Sequence, residues 1–186
     1  AALLSAMDAP NLITLPAMYT DLQTGDLLEP AELTPDQWTP LGQGHSELGR
    51  ILQHEFGVRQ MFHPHADAHV DENDTIGRFL ELTDPTTVSL CLDTGHVAYA
   101  GGDNLAIIKA FPDRIGYVHL KSVDPNVLTQ VREEGMSFAA AVQHGAMVEP
   151  PLGIPAMEPL LAELSALDVP LWAIVEHDLY PATPRT

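Results

Sequence analysis

Five short apolar runs predict the β-strands of this chain. They are Leu12–Leu15, Val58–Phe62, Val88–Leu92, Ile115–Val118 and Leu171–Val175. A strand with one solvent-exposed face alternates apolar and polar residues, whereas most of these runs do not alternate. The runs therefore predict strands that are buried on both faces, which is typical of parallel sheets.

Helical patterns lie between the apolar runs. Apolar residues recur at spacings of three and four in Ser46–Phe56, Thr75–Leu82, Asn104–Phe111 and Met157–Leu167. Gly or Pro follows three of these segments closely, as expected at helix ends. Strands that alternate with helices predict a parallel sheet with crossover helices. That sheet is either an open doubly wound α/β sheet or part of a (β/α)8 TIM barrel.

Five strands are too few to close a barrel. An eight-stranded barrel typically needs about 250 residues, and this chain has 186. We therefore expect a single domain over residues 1–186 that forms an incomplete TIM barrel without its N-terminal strands. The opening segment AALLSAM has a helical pattern, which fits this expectation. The first and last strands should then be exposed or covered by another chain, for example in a homo-oligomer.

Two long stretches do not fit a minimal βα repeat. Tyr19–Gly44 is rich in Pro, Thr and Gly, and Ser122–Pro155 separates the last two predicted strands. We expect both to be loops at the active-site face, where α/β folds usually carry their longest connections.

Charge and composition limit the partners of the chain. It has 8 Lys and Arg against 26 Asp and Glu, which gives a net charge of −18 with His neutral. Such a chain repels a phosphate backbone, so we expect no nucleic-acid partner. No apolar run reaches the roughly 18 residues of a membrane span, and the first residues lack the basic start of a signal peptide. We therefore expect a cytoplasmic protein without membrane contact. The single cysteine, Cys91, excludes an intrachain disulfide.

Ionisable residues directly follow four of the predicted strands. The segments are His63–His69, Asp93–His96, His119–Lys121 and Glu176–Asp178. A single such residue is usually a helix cap or a loop hydrogen-bonding group. Four of them indicate a site, because the carboxyl ends of parallel strands meet at one edge. Imidazole and carboxylate groups bind divalent metals without cysteine, so we predict a metal here, with Mn²⁺ or Co²⁺ favoured and Mg²⁺ or Zn²⁺ as alternatives.

The same segments carry a family resemblance. In order, FHPHAD, LCLDTGHVAYAGGDN, FPDRIGYVHLKSVDP and WAIVEHD resemble the xylose-isomerase-like TIM-barrel superfamily of sugar isomerases, epimerases and dehydratases, and within it the inosose dehydratases. The resemblance implies a divalent metal held by one residue from each of four successive strand ends. Asp93, His119 and Glu176 match three of these ligands.

The fourth ligand is open. The family usually has a Glu where this sequence has the segment His63-Pro64-His65. We favour His63 over His65, and Asp71 or Glu72 could also reach the metal.

The resemblance further implies a metal-dependent carbon–oxygen lyase that dehydrates a keto-polyol such as 2-keto-myo-inositol. This reaction needs a base for the proton α to the carbonyl and an acid for the departing hydroxide. Strand alternation points Lys121 to the same side as His119, where a nearby positive charge would lower its pKa. We assign proton transfer to Lys121 and His65. His96 contacts substrate, orients a ligand or is purely structural, and Lys121 has the alternative of a surface ion pair.

Two other functions compete with dehydration. Aldose–ketose isomerisation or epimerisation uses the same metal and the same proton abstraction. The paired carboxylates of the epimerases are not evident, because the segment His63–His65 occupies one of their positions. The second alternative is a non-catalytic, sugar-binding remnant. In each case the partner is a small polyol or keto-sugar.

Overall fold

The computed structural model describes residues 1–178, and its main feature is a five-stranded parallel sheet. The strands in chain order are β1 (Asn11–Thr14), β2 (Arg59–Phe62), β3 (Val88–Asp93), β4 (Ile115–Leu120), β5 (Ser122–Val123), β6 (Met147–Val148) and β7 (Trp172–Val175). The large sheet has the order β1-β2-β3-β4-β7, and all its pairs are parallel. Strands β5 and β6 form a separate antiparallel pair.

The strand order decides between the two predicted architectures. A doubly wound sheet reverses its strand order once, and the strands of this sheet follow one another in chain order without a reversal. Sequential addition of parallel strands is how a TIM barrel grows. The prediction of parallel neighbours in chain order is therefore confirmed, and the doubly wound alternative is wrong.

Eight α-helices lie within the described residues. They are α1 (Ala2–Ala6), α2 (Pro35–Phe56), α3 (Asn73–Leu82), α4 (Thr94–Ala100), α5 (Asn104–Ala110), α6 (Pro125–Glu134), α7 (Phe138–Gln143) and α8 (Met157–Ser165). The four helices predicted from periodicity correspond to α2, α3, α5 and α8. No helix within residues 1–178 is both long and apolar enough to cross a membrane.

Helix α2 begins eleven residues earlier than predicted, inside the stretch expected to be a loop. Its start is capped, because Gln37 Oε1 accepts a 2.7 Å hydrogen bond from the backbone N–H of Thr34. Pro35 is tolerated in the first turn, whose N–H groups have no helical partner anyway. Pro40 lies on the exposed side, where water can replace its missing hydrogen bond. The prediction of a loop is therefore wrong for the part of this stretch that begins at Pro35.

The second expected loop, Ser122–Pro155, also contains regular secondary structure. It contains the β5–β6 pair and helices α6 and α7. Helix α4 was not predicted from the spacing of apolar residues. Thr94 to Ala98 are all buried, so the helix has no exposed polar face and no amphipathic pattern.

The main core lies between the parallel sheet and the helices that cover it. Phe62 and Phe79 stack at its centre, with ring centroids 3.8 Å apart. Leu90 and Leu92 of β3 are fully buried, as expected for a central strand covered on both faces. A smaller cluster, formed by Ala66, Val123, Leu128, Phe138 and Met147, lies above the carboxyl ends of the strands.

The two edges of the sheet are β1 and β7. All four residues of β7 are exposed, including Trp172 at 58% and Val175 at 70%. For β7 this agrees with the expectation that the last strand of an incomplete barrel is exposed or covered by another chain. The prediction that the apolar runs form strands buried on both faces is wrong for β7 and for β1, whose residues are all half-buried, because an edge strand has a neighbour on one side only.

Candidate metal centre

Four of the predicted ligand residues meet at the carboxyl edge of the sheet. His63 follows β2, Asp93 ends β3, His119 lies in β4 and Glu176 follows β7. Asp93 and His119 are direct partners in the β3–β4 register, so neighbouring strands place their side chains together. The backbone N–H of Glu176 donates a 3.1 Å hydrogen bond to the carbonyl of Leu120, which fixes the start of its loop against β4.

Asp93 is the centre of the cluster and is completely buried. Its Oδ1 caps helix α4 by accepting from the backbone N–H groups of Gly95 (2.9 Å) and His96 (2.8 Å). Its Oδ2 faces the cluster, 3.3 Å from His63 Nε2 and 3.5 Å from His119 Nδ1. Burial raises the pKa of Asp93, but the surrounding imidazoles and Lys121 outweigh it and hold the pKa well below its usual range. Oδ1 therefore caps helix α4, and Oδ2 is an anionic oxygen that a metal could bind.

The four side chains form a compact donor set. One ligand atom from each of His63, Asp93, His119 and Glu176 lies within 4.8 Å of all the others. Glu176 Oε2 and His119 Nδ1 are 2.6 Å apart, although the angles of this contact are not those of a hydrogen bond. His63 Nε2 faces the same point, 3.3 Å from Asp93 Oδ2. Imidazole nitrogens and carboxylate oxygens gathered in this way fit a cation that binds several of them.

The charges around His119 attract a cation to the same point. Burial lowers the pKa of His119, but its close contacts, with Asp93 first among them, raise the pKa to about 12. The pKa of Glu176 is lowered, chiefly by His119. Cys91 Sγ also lies within 4.8 Å of ligand atoms of His63 and His119. Burial raises the pKa of this thiol, so it remains a neutral and poor ligand.

Asp71 and Glu72, the other candidates for the fourth ligand, lie away from this cluster. Asp71 lines a separate cavity of about 390 Å³ together with Tyr19 and Arg78. The Glu72 carboxylate caps helix α3 by accepting from the backbone N–H of Thr75. His65 is also outside the four-atom set. His63 is therefore the residue of this segment that the fold brings to the other three.

Lys121 lies beside the cluster and not at the surface. It is 1% exposed, and its Nζ is 3.3 Å from Asp93 Oδ2 and 3.4 Å from Glu176 Oε2. The alternative of a surface ion pair is therefore wrong. Burial lowers the pKa of Lys121, but Asp93 and the other carboxylates outweigh it and raise the pKa. Three carboxylates around the amine set this direction, and the lowering expected from a positive charge beside Lys121 stays a prediction.

Two further imidazoles complete the group. Burial lowers the pKa of both His65 and His96, so both rings are neutral. His65 Nδ1 lies 2.8 Å from the carbonyl of Ala66, which can only accept, so the proton is on Nδ1 and the lone pair is on Nε2. His96 Nε2 is 2.9 Å from Lys121 Nζ, and its ring centroid is 3.7 Å from that of His65.

Asp178 is the functional candidate to which sequence analysis gave no role. Its Oδ2 accepts a 2.9 Å hydrogen bond from Lys121 Nζ and lies 3.8 Å from His96 Nε2. Its position two residues after Glu176 was the available signal. His177, between them, is instead 2.9 Å from the backbone carbonyl of Met147 and is not part of the four-atom ligand set.

A small pocket opens beside these groups. It has a volume of about 210 Å³ and is lined by Leu22, His65, Phe138, Ala139, Val142, Gln143 and Asp178; we call it the Phe138 pocket. Phe138 covers both imidazoles, with ring centroids 5.1 Å from His65 and 5.1 Å from His96. The pocket therefore combines an apolar wall with polar groups that adjoin the metal cluster.

Comparison with known proteins agrees with this architecture. The family model described as a xylose isomerase-like TIM barrel matches residues 2–185. An inosose dehydratase of Geobacillus kaustophilus (strain HTA426) is 39% identical over 150 residues, which cover 81% of this chain and 48% of the relative. Inosose dehydratase 2 of Bacillus cereus (strain ZK / E33L) is 34% identical over 149 residues, which cover 80% of this chain and 50% of the relative.

Solved structures share the fold at lower identity. A probable 3-DHS dehydratase, AsbF, from Bacillus anthracis superposes with a TM-score of 0.70 at 17% identity, covering 94% of this chain and 59% of that one. The IolI protein with a binding zinc atom superposes with a TM-score of 0.68 at 13% identity, covering 95% and 57%. The chain spans about half the length of the curated relatives it matches. Because the family model covers almost the whole sequence, the chain belongs to the xylose isomerase-like TIM-barrel family.

Proposed function

We propose that this chain carries the metal centre and proton-transfer groups of a metal-dependent dehydratase that acts on a keto-polyol such as 2-keto-myo-inositol. The similarity to inosose dehydratases over four-fifths of the chain supports this substrate class. The observation that carries the proposal is the convergence of four ligand atoms within 4.8 Å, beside a buried lysine. We further propose that residues 1–186 form one domain.

The metal ligands in this proposal are His63, Asp93, His119 and Glu176. Two imidazoles and two carboxylates form a mixed donor set that suits Mn²⁺, Co²⁺ or Zn²⁺ better than the all-oxygen shell that Mg²⁺ favours. The zinc atom in the IolI structure supports a divalent ion in this fold. A divalent cation held here would supply Lewis acidity towards a carbonyl and a neighbouring hydroxyl oxygen.

His65 is the proposed base. Its lone pair on Nε2 is available because Nδ1 donates to Ala66, and its ring lines the Phe138 pocket. The proton α to the substrate carbonyl moves to Nε2, and the electron pair of that C–H bond forms the new C=C bond as the β C–O bond breaks. A neutral imidazole with a lowered pKa can take this proton without first losing one.

Lys121 is the proposed acid. Its ammonium group lies within 3.4 Å of ligand oxygens of Asp93 and Glu176, so it faces the place where negative charge develops on the substrate. Nζ donates a proton to the departing hydroxide, which leaves as water, and the organic product is an enone. His96 lies between Lys121 and His65: its Nε2 is 2.9 Å from Lys121 Nζ and its ring packs against that of His65, so it positions both groups.

Incubation with 2-keto-myo-inositol and Mn²⁺ or Co²⁺ tests this proposal. We expect a new enone absorbance that depends on the metal and disappears with a chelator. A product that keeps all its oxygen atoms, identified by mass, would instead indicate isomerisation or epimerisation. A chain that binds neither metal nor polyol would contradict both enzymatic functions.

A further inference from the structure

Asp67 makes an unusual set of contacts for a loop residue. It has a positive φ of 56°, a left-handed conformation that Asp tolerates better than most residues with a Cβ. Its Oδ2 accepts hydrogen bonds from Thr20 Oγ1 (2.8 Å) and from the backbone N–H of Phe138 (2.8 Å). Its Oδ1 accepts from the hydroxyl of Tyr19 (3.5 Å), and its own carbonyl accepts from the backbone N–H of Tyr19 (2.9 Å). One side chain therefore connects three segments that are far apart in sequence.

The bond to Phe138 places one side of the Phe138 pocket. Phe138 is the first residue of α7, and four of the seven residues that line the pocket belong to this helix. Helix α7 has only six residues, so its orientation depends on contacts outside it. The carboxylate of Asp67 fixes its first turn directly above the imidazoles of His65 and His96.

The bonds to Tyr19 and Thr20 place a second side of the pocket. These residues begin the loop 19–28, which contributes Leu22 to the pocket. The loop also packs directly on the start of α7, since a Cβ at Gly25 would meet the side chain of Ser137. Five of the seven lining residues therefore belong to the two segments that Asp67 connects.

We propose that Asp67 is a positioning residue that holds both sides of the Phe138 pocket over the metal cluster and so sets the affinity for the polyol. This inference rests on the proposed function for its substrate, although the anchoring itself does not. Asp67 is absent from the four-atom ligand set and is not bonded to Lys121. Loss of its bonds should therefore affect substrate binding far more than metal retention or the chemical step.

The decisive variant is Asp67→Ala, studied in the metal-loaded full chain with 2-keto-myo-inositol. Loss of the charged acceptor should raise KM by about 10-fold or more, while kcat changes by less than about 3-fold and metal content stays the same. Amide hydrogen exchange should accelerate in residues 19–28 and 138–143 and stay slow in β3 and β4. Asp67→Asn, which keeps an acceptor oxygen and tolerates positive φ, should recover most of the affinity.

Asp84→Ala is a matched control. Asp84 also ties a turn, by accepting from the backbone N–H and hydroxyl of Thr86, but it lies at the amino end of β3. It should leave KM and exchange in both pocket segments unchanged. If Asp67→Ala does not fold, Thr20→Val removes one of the bonds and should raise KM by about 3-fold and loosen residues 19–28.

Unchanged KM and unchanged exchange in the Asp67 variants, or in Thr20→Val where only that variant folds, would overturn the inference. Metal loss with a parallel fall in kcat would also overturn it, because Asp67 would then support the whole centre. A wild-type chain without dehydratase activity would refute the proposed function. Hydrogen exchange would still decide the anchoring, because that measurement needs no substrate.

Discussion

Lys121 and Asp178 form a hydrogen-bonded ion pair of 2.9 Å at the side of the metal cluster, although 57 positions separate them in sequence. The pair orients the amine of a lysine that is 1% exposed, while the aspartate itself lines the Phe138 pocket. The buried charge of Lys121 is stabilised on three sides, by Asp178, Asp93 and Glu176.

Lys121→Met should retain the metal and lose turnover. Methionine fills a similar volume but has no proton to donate, and a proton-transfer group typically supplies about 10²–10⁴-fold in rate. We expect kcat to fall by that order, measured by enone absorbance, with metal content unchanged by mass spectrometry. Lys109→Met is the matched control, because Lys109 is largely exposed and pairs with Glu163 at 3.5 Å, away from the cluster. Metal loss in Lys121→Met would mean that the lysine shapes the site instead of moving protons.

Asp93→Asn should lose the metal while the protein stays folded. The amide can still cap α4 through its oxygen, but it removes the anionic oxygen that faces both imidazoles. We expect metal affinity to fall by more than about 100-fold, since even outer partners of ligands are worth 10–100-fold, and turnover to fall with it. Asp103→Asn changes another helix-capping aspartate, outside the cluster, and should retain the metal. Full metal occupancy in Asp93→Asn would contradict the proposed ligand set.

Gly95→Ala should impair turnover by displacing Lys121. A Cβ at Gly95 would lie 2.5 Å from Lys121 Cγ and 2.7 Å from its Cβ, so the buried lysine stem has to move. A displacement of about 1 Å in a catalytic group can cost about 100-fold in rate. Gly44→Ala is the control, because a Cβ there meets nothing within 4 Å and should stabilise helix α2 by about 0.5–1 kcal/mol. Wild-type kcat in Gly95→Ala would show that the position of Lys121 is not critical.

Asp71→Asn should stabilise the protein at neutral pH. Burial raises the pKa of Asp71 to about 6, above its value in the unfolded chain. The folded state therefore favours the protonated form, and this contribution is fully present below about pH 4 and is lost as pH rises to about 6. With allowance for solvent screening, we expect a gain of about 1–2 kcal/mol at pH 7.5 by urea unfolding. The gain should vanish at pH 4. Asp113→Asn, which also removes one negative charge but at an exposed position, is the control for the change in net charge.

Arg114→Ala should destabilise the fold. The guanidinium donates to the backbone carbonyls of Leu80 (2.6 Å) and Val88 (3.1 Å) and to the hydroxyl of Thr83 (2.8 Å), and so ties α3 to β3. Its loss removes three hydrogen bonds that join these segments, at a cost of about 2–4 kcal/mol in the free energy of unfolding. Arg50→Ala removes an exposed helix pair with Glu47 and should cost less than about 0.5 kcal/mol. Equal effects of the two substitutions would contradict this interpretation.

The sequence alone determined the parallel sheet, its strand order and the edge that carries the chemistry. Buried parallel strands are continuously apolar, and they must end in polar residues where the chain leaves the core, so His63, Asp93, His119 and Glu176 were visible as strand-end groups. Parallel pairing then brings such ends together whatever the loops do.

Only the tertiary structure decided which residues of the intervening loops take part. Asp67, Phe138 and Asp178 reach the site through contacts between segments that are 57 and 71 positions apart, and no local period encodes such contacts. The tertiary structure also decided that Lys121 is buried and that its pKa is raised. The pKa is raised because three carboxylates from two other strand ends surround the amine. The first half of helix α2 could not be predicted from sequence, because its Pro and Gly residues are unfavourable in most helices. In the structure, Pro40 is exposed, so that water can hydrate the free carbonyl, and Gly42 and Gly49 allow neighbouring backbone to pack closely.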